Sequence, residues 1–359
     1  MSKQHYYGLI LAGGRGTRFW PLSRRNRAKQ VLSVLGESTL IEATARRLSP
    51  LIPPERLWVL TNPHLRAEII RQLPQIPKHQ ILAEPDQRNT APAIGLAAHI
   101  LKSIDPDSVM GVFPSDHVIL KPRRYLQFAR RAFQAAERGR MAVLGIAPRR
   151  PDTAYGYIEF PAGAKSGSLE PVPIVKFREK PDLATAKRFV KAGRFYWNAG
   201  MFFWRSDVLL DALRIHLPKT ATILASLPAF SDRRFARKLK QAFPLCQNIS
   251  IDYAVLERAG NVDGLALGEI GWSDVGSWDA VHELLRRDRN GNASRSEALF
   301  EASSGNYVDA RGKLVALLGV NDLIVVDTPD ALLVADRKNA QQVGNLVKRL
   351  EQMGRHELL

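Results

Sequence analysis

Residues 11–24 read LAGGRGTRFWPLSR and join two chemistries in one short stretch. Gly13, Gly14 and Gly16 let the backbone turn sharply and bring bare N–H groups close to a polyphosphate, while Arg15, Arg18 and Arg24 offer guanidinium forks suited to phosphate oxygens. The stretch lacks the Gly-Lys-Ser/Thr ending of a Walker A loop and the third glycine of a dinucleotide fingerprint, so it belongs to neither common phosphate-loop type. Two aspartates stand in other polar segments, Asp116 in FPSDH and Asp274 in GWSDVGSW. Aspartates in such places form turns and cap helices, and they equally suit a divalent ion that shares its remaining positions with phosphates. Lys29 and Lys180 are long, flexible point charges; as isolated residues they read as solvated, and beside a phosphate they can follow oxygens that move during transfer.

Chemistry spread over so many segments needs a fold that gathers them. With 359 residues and 45% hydrophobic content, the chain can bury a core for one large α/β domain and a smaller appendage. Its one cysteine, Cys246, excludes an internal disulfide and fits a reducing cytoplasm. The opening MSKQHYYGLILAGGRG meets glycine and arginine too soon for a signal peptide or a membrane span, so no membrane partner is expected. A net charge of +17 attracts anions. The basic residues are scattered in pairs such as Arg46-Arg47 and Arg233-Arg234, without an aromatic-interleaved stripe, which argues against nucleic acid as the partner.

Apolar runs recur at 7–11, 57–60, 80–82, 109–113 and 142–146 without period-2 alternation, as strands buried on both faces do. Segments with helical spacing lie among them, at 40–48, 65–73, 91–101 and 125–138. The alternation predicts a Rossmann-like α/β fold: a doubly wound, mixed but mostly parallel sheet flanked by helices, with ligands beyond the carboxyl ends of its strands. From Tyr155 onward short strands mix with helices, among them one over 251–258 capped by Ser250. The polar cluster RNGNAS divides a catalytic domain over 1–288 from a small β-rich one over 289–359. The latter is built on LVALLGV, LIVVD and ALLVAD and ends in an amphipathic helix with Ala340, Val343, Leu346, Val347 and Leu350 on one face.

The loop at 11–24 resembles that of the nucleoside-diphosphate-sugar pyrophosphorylases, in particular the mannose-1-phosphate guanylyltransferase (GDP-mannose pyrophosphorylase) family. The resemblance continues through AKQ at 28–30, RNTAPAI at 88–94, FPSDH at 113–117, YGYIEF at 155–160 and EKP at 179–181. WNAGMFFW at 197–204, SIDYAVLE at 250–257, GWSDVGSW at 271–278 and VVDTPDALLV at 325–334 complete it, in order and over nearly the whole chain. Ala28 departs from the pattern, standing where the family has proline.

This resemblance implies that Leu11, Ala12, Gly13, Gly14, Arg15, Gly16, Thr17, Asn89 and Ser115 hold the nucleotide, with RNTAPA beside the guanine. It makes Arg18, Lys29 and Lys180 the catalytic cations, the first two on the GTP phosphates and Lys180 on the sugar phosphate. Gly156, Glu179 and Asn198 would line the sugar, and Asp116 with Asp274 would hold Mg²⁺, for which Mn²⁺ can substitute. The implied reaction joins GTP and mannose 1-phosphate into GDP-mannose and releases pyrophosphate. A phosphate monoester has a second pKa near ~6 and is already ionised at neutral pH, so His117 is expected to be structural or an outer contact instead of a general base. Trp197, Phe202, Phe203 and Trp204 are expected mainly in the core.

Two alternatives remain: a guanylyl- or thymidylyltransferase for another sugar 1-phosphate, and a non-catalytic regulatory subunit that binds GDP-sugar. Retention of Arg18, Lys29, Asp116, Lys180 and Asp274 as a set argues against the latter. A cytoplasmic homodimer supported by the β module and tail is expected. Some longer family members carry a cupin-like isomerase domain after the transferase; the tail here offers only His356, so a single activity is expected.

Overall fold

The alternating runs fold into one sheet with helices on both faces. In the computed structural model, which describes residues 5–359, β1 (Tyr6–Ala12), β2 (Leu57–Thr61), β3 (Ile81–Ala83) and β4 (Val109–Pro114) run parallel in the order 3-2-1-4. Their crossovers are α1 (Leu40–Leu48), α2 (Pro63–Gln72) and α3 (Thr90–Ile104). Successive strands leave β1 on opposite sides, so a crevice opens beyond the carboxyl ends of β1 and β4.

After β4 come β5 (Val118–Ile119), α4 (Pro122–Glu137) and β6 (Met141–Ile146). The short β7 (Tyr157–Glu159), β8 (Val172–Pro173) and β9 (Lys176–Arg178), with α5 (Leu183–Ala192), lead into β10 (Phe195–Arg205). β10 runs antiparallel between β4 and β6, and its first residues pair with β7. Its register on β6 shifts between Asn198 and Phe202, with Gly200 at φ 65°; such a bulge re-aims side chains, here that of Asn198. Helices α6 (Ser206–His216), α7 (Pro218–Ala225) and α8 (Phe235–Ala242) share one apolar core with α3. A second core on the other face joins α1, α2 and α4. The expected helix over 251–258 is a π-helical turn, Asp252–Leu256, though the Ser250 hydroxyl does accept the Tyr253 N–H at 3.4 Å. β11 (Val262–Leu267) then runs parallel to β6.

The remainder comprises β12 (Trp272–Ser273), α9 (Trp278–Leu284), β13 (Ala293–Ser294), β14 (Ala298–Glu301), β15 (Tyr307–Ala310), β16 (Val315–Leu318), β17 (Leu323–Thr328), β18 (Ala331–Asp336) and α10 (Val343–Gln352). β13, β15 and β17 stack in parallel, as do β14 and β16, while β17 and β18 form a hairpin. RNGNAS is an ordered turn: buried Asn292 donates to Asp288 and the Ser303 carbonyl, and accepts from Asn306. On α10 Val343 and Val347 are buried, whereas Leu346, at the margin of that stripe, is 44% exposed. A third core unites Phe19, Trp20, Val34 and Trp278 with Tyr307, Ile324, Val326, Val343 and Val347, so the C-terminal strands and helix fold onto the segment that follows the glycine loop. Among the described residues no helix is long and apolar enough to cross a membrane.

Candidate active site

β1 ends in the glycine loop. Gly16 lies at φ 62°, and a Cβ there would stand 2.6 Å from both the backbone N and the Cβ of Lys29, so the close approach of these two segments requires glycine. Two amides fix the loop from behind. Gln30 Nε2 donates to the carbonyls of Ala12 at 2.8 Å and Gly14 at 3.0 Å, and Gln87 Nε2 donates to that of Gly13 at 3.2 Å. The loop carbonyls are thereby held by the protein, and the N–H groups of Gly14, Arg15 and Gly16 donate to no acceptor among the described residues. This arrangement favours an anion.

A cavity of about 560 Å³ opens here, lined by the expected Leu11, Gly13, Gly14, Asn89, Ser115 and Asp116, and also by Gln30, Glu84 and Gln87. Asn89, at φ 64°, accepts the Thr90 N–H at 2.8 Å at the start of α3. The other loop residues contribute differently. The Ala12 carbonyl also accepts from Thr61, Thr17 faces Gly344 of α10, Arg15 pairs with Glu351 at 2.7 Å, and Arg18 donates to the Gly276 carbonyl at 3.1 Å. Glu84, just past β3, donates its N–H to the Thr61 carbonyl at 2.8 Å, but its carboxyl has no hydrogen-bond or ion-pair partner among the described residues, and burial pushes it up to about 8.

The segments that carry the two aspartates meet through a pairing too short to recognise in sequence. Val118 of β5 lies opposite Ser273 of β12 and Ile119 opposite Trp272; continuing that antiparallel register by one residue sets His117 beside Asp274. Lys29, only 7% exposed, links the two segments: its Nζ is 2.8 Å from Asp116 Oδ2 and donates to the Asp274 carbonyl at 2.6 Å. Burial pushes the Asp116 carboxyl up, but the charge and hydrogen bond of Lys29 outweigh it and hold Asp116 below the ordinary value. Val275, at φ 47°, and Gly276, whose added Cβ would stand 3.1 Å from Asp274 Oδ2, shape the turn around Asp274.

Burial lowers His117 to about 4 against the opposing pull of Asp116 and Asp274, and Trp272 Nε1 donates to its Nδ1 at 3.3 Å. His117 is therefore neutral and oriented by Trp272. Lys29 thus ties the Asp116 carboxylate to the Asp274 main chain, and carboxylate oxygens are the donor type taken by a small divalent cation that is completed by phosphate oxygens and water. Another acidic group, His5 with Asp105 and Asp107, lies at the opposite end of β1 and β4, where Asp105 is occupied by His5 at 2.7 Å and by the Tyr7 hydroxyl at 3.0 Å.

The third part of the site forms where β9 turns toward α5. Lys180, at φ 43°, pairs with Glu179 Oε1, and this pairing raises the lysine against the opposing effect of burial. An added Cβ on Gly156 would lie 2.3 Å from Glu179 Oε2 and 3.3 Å from Asn198 Cβ, so glycine makes room for that carboxylate. The Glu179 side chain is 5% exposed and its Oε2 has no partner among the described residues. Asn198 accepts the Gly200 N–H at 2.9 Å and donates to Asp252 at 2.8 Å. Trp197, Phe202, Phe203 and Trp204 are buried as expected. Tyr155, which sequence reasoning left without a role, packs 4.9 Å from the Trp197 ring and 5.7 Å from that of Trp272; burial and Asp274 raise its phenol well above the usual value. It links the Glu179 and Asn198 side of the site to the aspartate side.

Comparison with known proteins gives the family. Residues 7–291 match the nucleotidyl transferase family model, and 302–350 match a MannoseP isomerase/GMP-like beta-helix domain. The chain is 37% identical over 366 residues to mannose-1-phosphate guanylyltransferase of Escherichia coli K12, covering 99% of this chain and 76% of that protein. It is 38% identical to the alginate biosynthesis protein AlgA of Pseudomonas aeruginosa, covering 97% of this chain and 73% of that one. A crystal structure from Thermus thermophilus, named a mannose-1-phosphate geranyltransferase, superposes with a TM-score of 0.85 at 34% identity, covering 97% of this chain and all of that one. With its fold, its glycine loop and nearly its whole length accounted for in this way, the chain belongs to the mannose-1-phosphate guanylyltransferase family of nucleotidyl transferases.

Proposed function

We propose that the chain joins mannose 1-phosphate to GTP, forming GDP-mannose and pyrophosphate. The observation that carries this reading is the meeting, at the carboxyl ends of adjoining strands, of a glycine loop with free N–H groups and a lysine-bridged pair of aspartates. The sugar-phosphate oxygen attacks the α-phosphorus of GTP in line. A P–O bond forms as the bond to the β-phosphate oxygen breaks, and pyrophosphate leaves on the far side without a covalent enzyme intermediate. The N–H groups of residues 14–16, with Arg18 and Lys29, hold the nucleotide phosphates; Lys180 holds the incoming phosphate while Glu179 and Asn198 grip sugar hydroxyls. Keeping two mutually repelling anions aligned is the main catalytic task. Mg²⁺, or Mn²⁺ in its place, would be held by Asp116 and Asp274 and would neutralise nucleotide oxygens.

Glu84 supports guanine as the base. Burial keeps Glu84 protonated at neutral pH in the empty pocket; the adjacent N1–H and N2–H donors of guanine would draw it into its ionised, acceptor-only form, whereas adenine turns an acceptor to the same place. The working protein is read as a cytoplasmic homodimer with its domain boundary at 288/289. The deciding experiment is pyrophosphate release with Mg²⁺, crossing GTP, dTTP, UTP and ATP against mannose, glucose and heptose 1-phosphates. A maximum for GTP with mannose 1-phosphate supports the reading; a maximum elsewhere moves the specificity. GDP-mannose binding with no turnover would replace the reading by a regulatory subunit. In the active protein Asp116→Asn and Asp274→Asn should each abolish turnover without unfolding, and normal activity in either would remove it from the metal site.

A further inference from the structure

The sugar side of the site contains a carboxyl group for which the reaction above gives no task. Asp252 opens the π-helical turn Asp252–Leu256, and its Oδ1 accepts from Asn198 Nδ2 at 2.8 Å. Because the Gly200 N–H can only donate, the Asn198 oxygen must face it, and the amide is locked in one orientation with its second N–H left over. The same segment reaches the nucleotide side. Ile251 N–H donates to the Thr90 hydroxyl at 2.9 Å, and Ala91 N–H donates to the Ile249 carbonyl at 3.1 Å, both at the start of α3. Glu257, at the end of the π turn, accepts the Glu179 N–H at 2.7 Å. Single π turns of this kind are frequent at functional sites, because the extra residue re-aims neighbouring side chains.

We propose that Asp252 is a positioning residue that fixes the donor orientation of Asn198 toward the sugar and holds the sugar side in register with the nucleotide side through residues 249–252. Removal of its carboxyl would leave the Asn198 amide held from the Gly200 side alone, so that its NH2 group is no longer pinned and the sugar side loses an oriented donor. The electrostatics agree: burial and the nearby Glu179 raise Asp252 above the usual carboxylate range, while Lys180 and Asn198 oppose that rise, so Asp252 senses the same groups that the proposed function places around the sugar phosphate. The proposal rests on the guanylyltransferase reading.

The test compares Asp252→Ala and Asp252→Asn with the unsubstituted chain, reading KM for each substrate, kcat, melting temperature and calorimetric affinity for mannose 1-phosphate. Asp252→Ala should raise KM for mannose 1-phosphate about ten- to hundredfold and weaken its binding in parallel, the scale of a lost hydrogen bond to a charged group, with KM for GTP within about twofold. Asp252→Asn, which keeps an acceptor oxygen at the same place, should recover most of the loss. Unchanged constants in Asp252→Ala, a parallel change in both KM values and the melting temperature, or an Asn variant as impaired as the Ala variant would each overturn the proposal. Lack of turnover in the unsubstituted chain would instead overturn the reading on which it rests.

Discussion

Lys29 stands at the tightest point of the site, its ammonium shared between the Asp116 carboxylate and the Asp274 carbonyl. Lys29→Met keeps the stem and removes the charge, leaving the half-buried Asp116 carboxylate without its partner; turnover should fall about a hundredfold or more, measured as pyrophosphate release under saturating substrates. Glu84 gives a prediction of opposite character. Its carboxyl titrates near 8 in the folded chain and near 4.5 when unfolded, so between those values the folded state keeps a proton that the unfolded state has released. Stability therefore contains a term that declines as pH rises through that window. Glu84→Gln removes it, and its melting temperature relative to the parent should climb from pH 5 to pH 8.5; a constant difference would show that the side chain is solvated. The glycine loop, Asp116, Asp274 and Glu179 were legible because motifs surround them. Glu84 was not, since a lone acid after a three-residue strand has nothing in its neighbourhood to mark it, although its place beyond a parallel strand is where ligands sit.

At the scale of elements, precision comes from pieces shorter than any periodicity window. The two-residue strands β5 and β12 bring the segments containing Asp116 and Asp274 together, and neither has enough residues to show alternation. The loop between Ala12 and Thr17 depends on Gly16, and Gly16→Ala would add both a left-handed strain and a contact with the Lys29 backbone at 2.6 Å. The expected cost is about 1–3 kcal/mol, with weaker GTP binding, read by thermal melting and by nucleotide titration. An alanine variant with parental stability and affinity would mean that the Lys29 segment yields freely. The C-terminal strands also escaped a full reading. Their apolar runs were evident, yet equivalent positions recur at offsets of 14 and then 17 residues, as between Asn292 and Asn306 and between Asn306 and Leu323, so no fixed period reveals the parallel stacking.

The whole molecule is more integrated than its two family matches suggest. Trp20 donates to the Leu358 carbonyl at 3.0 Å and Trp278 to the Trp20 carbonyl at 3.1 Å, inside a core that also contains Tyr307, Ile324 and Val347. Removing everything after residue 290 would uncover Phe19, Trp20 and Trp278 at the base of the glycine loop. Such a chain should lose activity and cooperative unfolding together, whatever its oligomeric state, and cannot by itself test dimerisation. A surface substitution can. Along β18, Leu333 faces inward while Leu332 and Val334 are each 57% exposed. An apolar face of this kind on short strands invites a partner, and a second copy is the occupant implied by the homodimer reading. Leu332→Asp with Val334→Asp places two charges there without touching the core or the site. Light scattering should then give half the parental mass while the melting transition stays cooperative. An unchanged mass would move the homodimer contact, if the parent shows one, to another face of the molecule.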